Sequence, residues 1–328
     1  MKAVLKSSNF FELFSLIDYF KIFIDKYTNF VYTLNEDKRG IDMKNYKLNL
    51  IMILILFVLG GIACYNYVKN ENKNRLEHEK YYNECIEGNT YYCSYYSEPY
   101  KKRDTFNTFL YITSIYDTVS NLQILAPLFL IIPSYLYFNK LIRNGYLKNS
   151  ITRIGYKKSM ITIYKECLKS SFIFPIFILM MFLISYLISG NFDFNIGAYD
   201  YHFDVAEVRN IYQMIIYMLI LLICFILNEI FWINLGLYNC KYNKNKYVGI
   251  IASFIEFVLL FAIIEVIDEK FLRKTIIYEN FSLSGFWSFT YNVRYIVLIM
   301  SLIIAIVSSI ILYLTYKNKE EVLMEINK

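Results

Sequence analysis

This sequence is short of the residues that perform chemistry in water. Its 328 positions hold two histidines, His78 and His202, together with six cysteines and two tryptophans, and only 19% of positions are charged. A metal site needs three or four converging ligands, and no HExxH pair is present to supply two of them from one helix. There is no GxxxxGK[S/T] loop to cradle a nucleotide phosphate and no GxSxG elbow to present a nucleophilic serine. An enzyme reading has no anchor. Four prolines and eleven glycines are too few for a linker-rich or low-complexity chain.

Apolar residues are in excess. They make up 57% of the chain, with mean hydropathy +0.35, against 45–50% in ordinary soluble domains. They gather in long runs. A hydrocarbon core about 30 Å thick takes roughly 20 helical residues. Leu48–Val68, Thr118–Asn139, Ser170–Phe192 and Tyr295–Tyr316 reach that length without a charge. Asn210–Gly236 is interrupted only by Glu229, and Val248–Ile267 by Glu256 and Glu265. Such runs are too long for buried strands, and helices satisfy their own backbone groups in lipid. The expected fold is all-α, with six transmembrane helices.

The placement of charge orients those helices. Residues 140–169 carry eight Lys/Arg against the single acid Glu166, and 237–247 carry three with no acid. Residues 193–209 carry Asp193, Asp200, Asp204 and Glu207 against Arg209 alone. Short loops rich in Lys/Arg stay in the cytoplasm, so both termini are expected there. The net charge of +6 is then a topological signal and not a nucleic-acid footprint.

The organisation that follows is a cytoplasmic or interfacial segment 1–47, a transmembrane domain 48–316 and a cytoplasmic tail 317–328. Residues 1–47 are not a cleavable signal, because the first uncharged run begins at Leu48 and is full length. In them Phe10, Leu13, Phe14, Ile17, Phe20, Ile24 and Tyr27 recur at helical spacing, which fits an interfacial helix or one docked on the protein's own inner face. Within the domain, 69–107 is an external, tyrosine-rich loop with room for a small subdomain or helical hairpin. Residues 105–117 have the pattern of a helical approach to the second span. Residues 269–292 are apolar but too broken to cross, and suit a pair of short helices dipping into the outer leaflet.

Several polar groups need an explanation. A carboxylate at the centre of a span costs about 2.5 kcal/mol or more unless paired or hydrated. Glu229 and Glu256 lie at similar depths, with Asn228 and Asn234 nearby. They either line a pathway or are hydrogen-bonded contacts between helices. Cys85 and Cys93 are the only cysteine pair in the first external loop; they are either a disulfide closing it or two separate thiols. The basic cytoplasmic loop 139–170 is an anchor for anionic lipid headgroups or a short helix presented to a cytoplasmic partner.

The order of these parts, with the string Arg143-Asn-Gly145-Tyr-Leu-Lys148 and then Thr152-Arg153-Ile-Gly-Tyr-Lys157-Lys158, resembles the membrane subunits of type-2 ATP-binding-cassette exporters. The resemblance implies a multi-pass permease in the cytoplasmic (plasma) membrane that exports a peptide, a lipid or another amphipathic substrate. It implies a separate cytoplasmic ATPase, which carries the ATP and magnesium, so that no cofactor belongs to this chain. It also implies pairing with a second permease, identical or not. Arg143, Lys148, Arg153, Lys157 and Lys158 would frame the ATPase contact. Two other readings stand beside it: a non-transporting immunity or structural membrane protein, and an ion-conducting protein that uses Glu229 and Glu256.

Overall fold

The computed structural model describes residues 45–87, 93, 96–114, 117–143, 146–192, 210–243, 245–267, 270, 294–319 and 322–323. The expected interfacial helix before Asn45 and the dipping segment 269–292 lie almost wholly outside those residues. Every regular element described is a helix.

The first helix, α1, runs Asn45–Ile86, twice the length of the span expected there. Nothing stops it at the lipid boundary, because 69–87 contain neither proline nor glycine. The stretch beyond the apolar run is held by charge pairs one turn apart: Lys73 with Glu77, Arg75 with Glu79 and Lys80 with Glu84. Of the two forms expected for 69–107, a small subdomain or a helical hairpin, the described residues show a helical one, with the first helix continuing to Ile86. Cys85 and Cys93 are joined by a disulfide, beyond which residues 96–104 return along α1 as a strap.

Asp104 then caps α2 (Thr105–Ser114), accepting from the N–H of Asn107 at 2.9 Å. The next helix, α3 (Asp117–Arg143), keeps Pro127 and Pro133 inside it. Two short helices follow, α4 (Tyr146–Ile154) and α5 (Tyr156–Leu168). Between them Gly155 takes φ +82°, a conformation open to glycine, and so lets the chain turn at one residue. A 3-10 turn over Lys169–Phe172 leads into α6 (Ile173–Ser189). Pro175 lacks the N–H that would bond the carbonyl four residues back, which accounts for the tightened turn. Together α5 and α6 form one apolar column, Tyr156–Ser189, starting fourteen residues before the expected third span.

Asn210 caps α7 (Ile211–Tyr242) by accepting from the N–H of Gln213 at 3.0 Å. It is followed by α8 (Lys246–Ile267) and α9 (Arg294–Thr315). α7 packs against α3, α8, α9 and the 3-10 turn.

Side-chain pairs give the directions. Asn228 meets Ser301 and Asn234 meets Ser308, so α7 and α9 run parallel. Asn49 meets Ser170, and Gly60 lies against Met181, so α1 and α6 run parallel. α8 returns along α7, with Asn239 on Glu256 and Trp232 on Phe257. α8 also approaches α3 closely: a Cβ on Gly249 would lie 1.9 Å from the Tyr135 hydroxyl. The missing side chain at Gly249 leaves the room that the end of the Tyr135 ring fills.

Among the described residues, five helices are long and apolar enough to cross a membrane: Lys47–Ile86, Leu125–Arg143, Tyr156–Ser189, Ile211–Tyr242 and Leu298–Thr315. α8 coincides with the remaining expected run, and the side chain of Glu265 in it lies outside the described residues. The chain has the build of a multi-pass membrane protein.

Candidate functional site

The basic positions gather at one end of the bundle, where α3, α7 and α9 finish and α4, α5 and α8 begin. Helix C-termini there leave carbonyls without intrahelical donors. The Arg143 guanidinium donates to the carbonyl of Asn243 at 3.0 Å, and the Lys241 ammonium to that of Thr315 at 2.9 Å. The Tyr156 hydroxyl donates to the carbonyl of Tyr316 at 2.5 Å, and the Tyr316 hydroxyl to that of Leu237 at 2.8 Å. Cations at C-terminal carbonyls also complement the helix dipole. Arg143 thus joins α3 to α7 while remaining exposed like the other cations of the stretch.

The other cations divide between two helices. On α4, Lys148 and Arg153 are exposed while Leu147 is fully buried and Ile151 partly so. The apolar stripe clamps the helix against the bundle and leaves its basic face to solvent. The Ser150 and Ser159 hydroxyls, 2.8 Å apart, tie α4 to α5 across the Gly155 turn. On α5, Lys157 and Lys158 are exposed, and Ser159, Ile163 and Cys167 are buried.

The polar residues within the spans do not form one site. Glu256 accepts from the side-chain amide of Asn239 at 2.6 Å. Asn239 lies ten residues beyond Glu229 on α7, about 15 Å along the axis at 1.5 Å per residue. Glu229 is fully enclosed beside the backbone of Phe174, and neither of its carboxyl oxygens has a hydrogen-bond partner among the described residues. Glu229 and Glu256 therefore share no hydrogen-bond partner among the described residues.

Asn228 donates to Ser301 at 3.1 Å. Asn234 accepts from the Tyr164 hydroxyl at 2.9 Å and donates to Ser308 and Ser309. These are bonds between helices α5, α7 and α9, and they leave both asparagines satisfied. Nothing in the sequence marked Tyr164 as the partner of Asn234.

The opposite end has different chemistry. Glu71 receives the Arg103 guanidinium at 2.7 Å and the Tyr100 hydroxyl, with the two ion-pair side chains 12% and 19% exposed. Arg103 also lies over the Tyr111 ring, 4.2 Å from its centroid. Burial and the hydrogen bond to the Glu71 carboxylate push the Tyr100 phenol above its ordinary value. His78 sits between the rings of Tyr96 and Tyr100. Thr105 bonds the Ser189 hydroxyl at 2.7 Å and its N–H bonds the Asn191 carbonyl at 3.0 Å, which fastens α2 to the end of α6. Among the described residues, no group of three or more His, Cys, Asp or Glu is placed to hold a metal ion.

Comparison with models of known protein families, with curated proteins and with solved structures finds no match to this chain. The functional reading therefore rests on the residues themselves.

Proposed function

We propose that the chain is the permease subunit of an exporter of the type-2 ATP-binding-cassette kind, moving a peptide, lipid or other amphipathic substrate and driven by an ATPase on a separate polypeptide. In this reading the basic end faces the cytoplasm, as the Lys/Arg bias of its loops favours. The helices make six crossings, with α8 carrying the chain back between the parallel helices α7 and α9. The membrane is the cytoplasmic one, and the working unit contains a second permease, this chain or a sister.

One observation carries the reading. α4 is a nine-residue helix set between two apolar columns, clamped by Leu147 on one face and presenting Lys148 and Arg153 on the other. A rigid basic helix on short connections can transmit a push from a soluble partner to α3 and to the α5–α6 column together. Because the chain has no phosphate loop, the energy would come from that partner. The ion-conducting alternative is less favoured, because Glu256 is engaged by Asn239 and Glu229 shares no partner with it among the described residues.

The test is co-purification. Lys148→Glu with Arg153→Glu should abolish recovery of a phosphate-loop ATPase with the chain while membrane insertion is unchanged. Undiminished recovery, or transport by the purified chain with no ATPase present, would refute the proposal.

A further inference from the structure

An open groove of about 500 Å³ lies along the outer face of α5, beginning at the Gly155 turn. Its walls mix two chemistries. Lys157, Lys158 and Lys165 supply three cations, and Ile154, Tyr156 and Ile161 supply apolar surface. Ile154 and Ile161 are both more than two-fifths exposed. None of the three lysines has an acidic partner among the described residues; the neighbouring Glu166 is engaged by Lys169 at 2.6 Å.

The depth of the groove is fixed by two hydrogen bonds. Tyr156 bonds the carbonyl of Tyr316, and Tyr164 bonds Asn234, which in turn holds Ser308 and Ser309. The helix that carries the groove therefore runs beside the last turns of α9. There Ile310, Ile311, Tyr313 and Leu314 are exposed and apolar, and the exposed Lys317 follows. That change from apolar to charged surface marks the polar boundary of the bilayer. Lys157 and Lys158 stand at the boundary. Lys165 starts deeper, but side chains on a helix lean toward its N-terminus, which here is the boundary side, so its ammonium rises toward the other two.

We propose that this groove binds an anionic membrane phospholipid, its phosphate held by Lys157, Lys158 and Lys165 and an acyl chain lying on Ile154 and Ile161. Unpaired cations alone would suit any anion; apolar surface beneath them at bilayer depth selects one attached to a hydrocarbon chain. The assignment separates the basic stretch into two parts. α4 keeps Lys148 and Arg153 for a soluble partner, and α5 gives Lys157 and Lys158 to the lipid. The transport reading is not required.

The purified full-length chain is titrated with phosphatidylglycerol and with phosphatidylcholine, and bound lipid is counted by native mass spectrometry. Phosphatidylglycerol should bind selectively. Lys157→Gln, Lys158→Gln and Lys165→Gln together should weaken it roughly a hundredfold, about fivefold per cation lost near the membrane surface. The same three positions changed to Arg should retain binding, which separates lost charge from lost folding. Lys148→Gln with Arg153→Gln should leave lipid binding as it was. Equal binding of the two lipids, or full retention by the glutamine variant, overturns the proposal. So does complete competition by glycerol phosphate, which would show a site for free anions. If the glutamine variant loses a soluble protein partner while keeping phosphatidylglycerol, the groove is a protein-docking surface and the lipid assignment is wrong.

Discussion

The two ends of this bundle are held by different forces. At the basic end the stabilising contacts are fits between helices: Gly249 against Tyr135, Tyr316 between Phe138 and Leu237, and cations on terminal carbonyls. At the other end, a strap is fastened to a helix by a disulfide and by a part-buried Glu71–Arg103–Tyr100 cluster. The difference follows from the surroundings. Helices that meet inside the apolar column gain little from the hydrophobic effect in lipid and depend on close packing and hydrogen bonds. The strap lies beyond the apolar runs, and its described residues are tied to α1 by the disulfide, the ion pair and the ring contacts of His78 with Tyr96 and Tyr100. Damage at the first end should therefore be global, and at the second local.

The sharpest way to break that contrast is Gly249→Val. The added atoms would occupy the position of the buried Tyr135 ring, and overpacking of this kind costs about 3 kcal/mol or more where neither backbone can move. Loss of the monodisperse folded protein on size-exclusion chromatography is the expected result, with partial recovery when Tyr135→Ala is added. A well-folded Gly249→Val single variant would mean that α3 and α8 do not touch.

Removing the disulfide with Cys85→Ser and Cys93→Ser should act less broadly. Closing residues 85–93, eight apart in sequence, restricts that segment when unfolded by about 2–3 kcal/mol. Faster proteolysis confined to residues 87–104, with the melting of the helical bundle little changed, is the pattern expected. Collapse of the whole fold would erase the distinction between the two ends.

The smallest effect belongs to Tyr100. Its phenol is raised in the folded protein, so its contribution is fully present below the ordinary value of 10.0 and is lost as the pH rises toward the folded value. Hydrogen exchange of the N–H groups of 70–86 should quicken above about pH 10, and Tyr100→Phe should flatten that alkaline rise. An unchanged rise in the variant would place the titrating group elsewhere.

Much of the architecture was legible from the chain alone, and the unevenness is instructive. The apolar runs are local properties of 20 or so residues, so the helices fall where hydropathy put them. Asn210 and Asp104 cap helices as such residues do. Where α1 stops was not legible, because the charged composition of 69–107 suits either a small subdomain or a helical hairpin. Composition sets the solvent a helix lies in; only proline, glycine or a competing turn would have ended it before Ile86. The candidate site was less legible. Lys148, Arg153, Lys157 and Lys158 are exposed as charged residues prefer to be, but their division between two helices depends on the single turn at Gly155.

The sequence by itself determined that this is a helical, multi-pass protein with its basic loops gathered on one side, because hydrophobic length and charge bias act on each segment separately. Only the tertiary structure decided which groups meet. It paired Glu256 with Asn239, gave Asn234 to Tyr164, set Arg143 to bracing α7, and laid α5 beside the end of α9. Those outcomes depend on the rotation and axial offset of one helix against another. Both are set by packing across the bundle, so neither leaves a mark in the local order of residues.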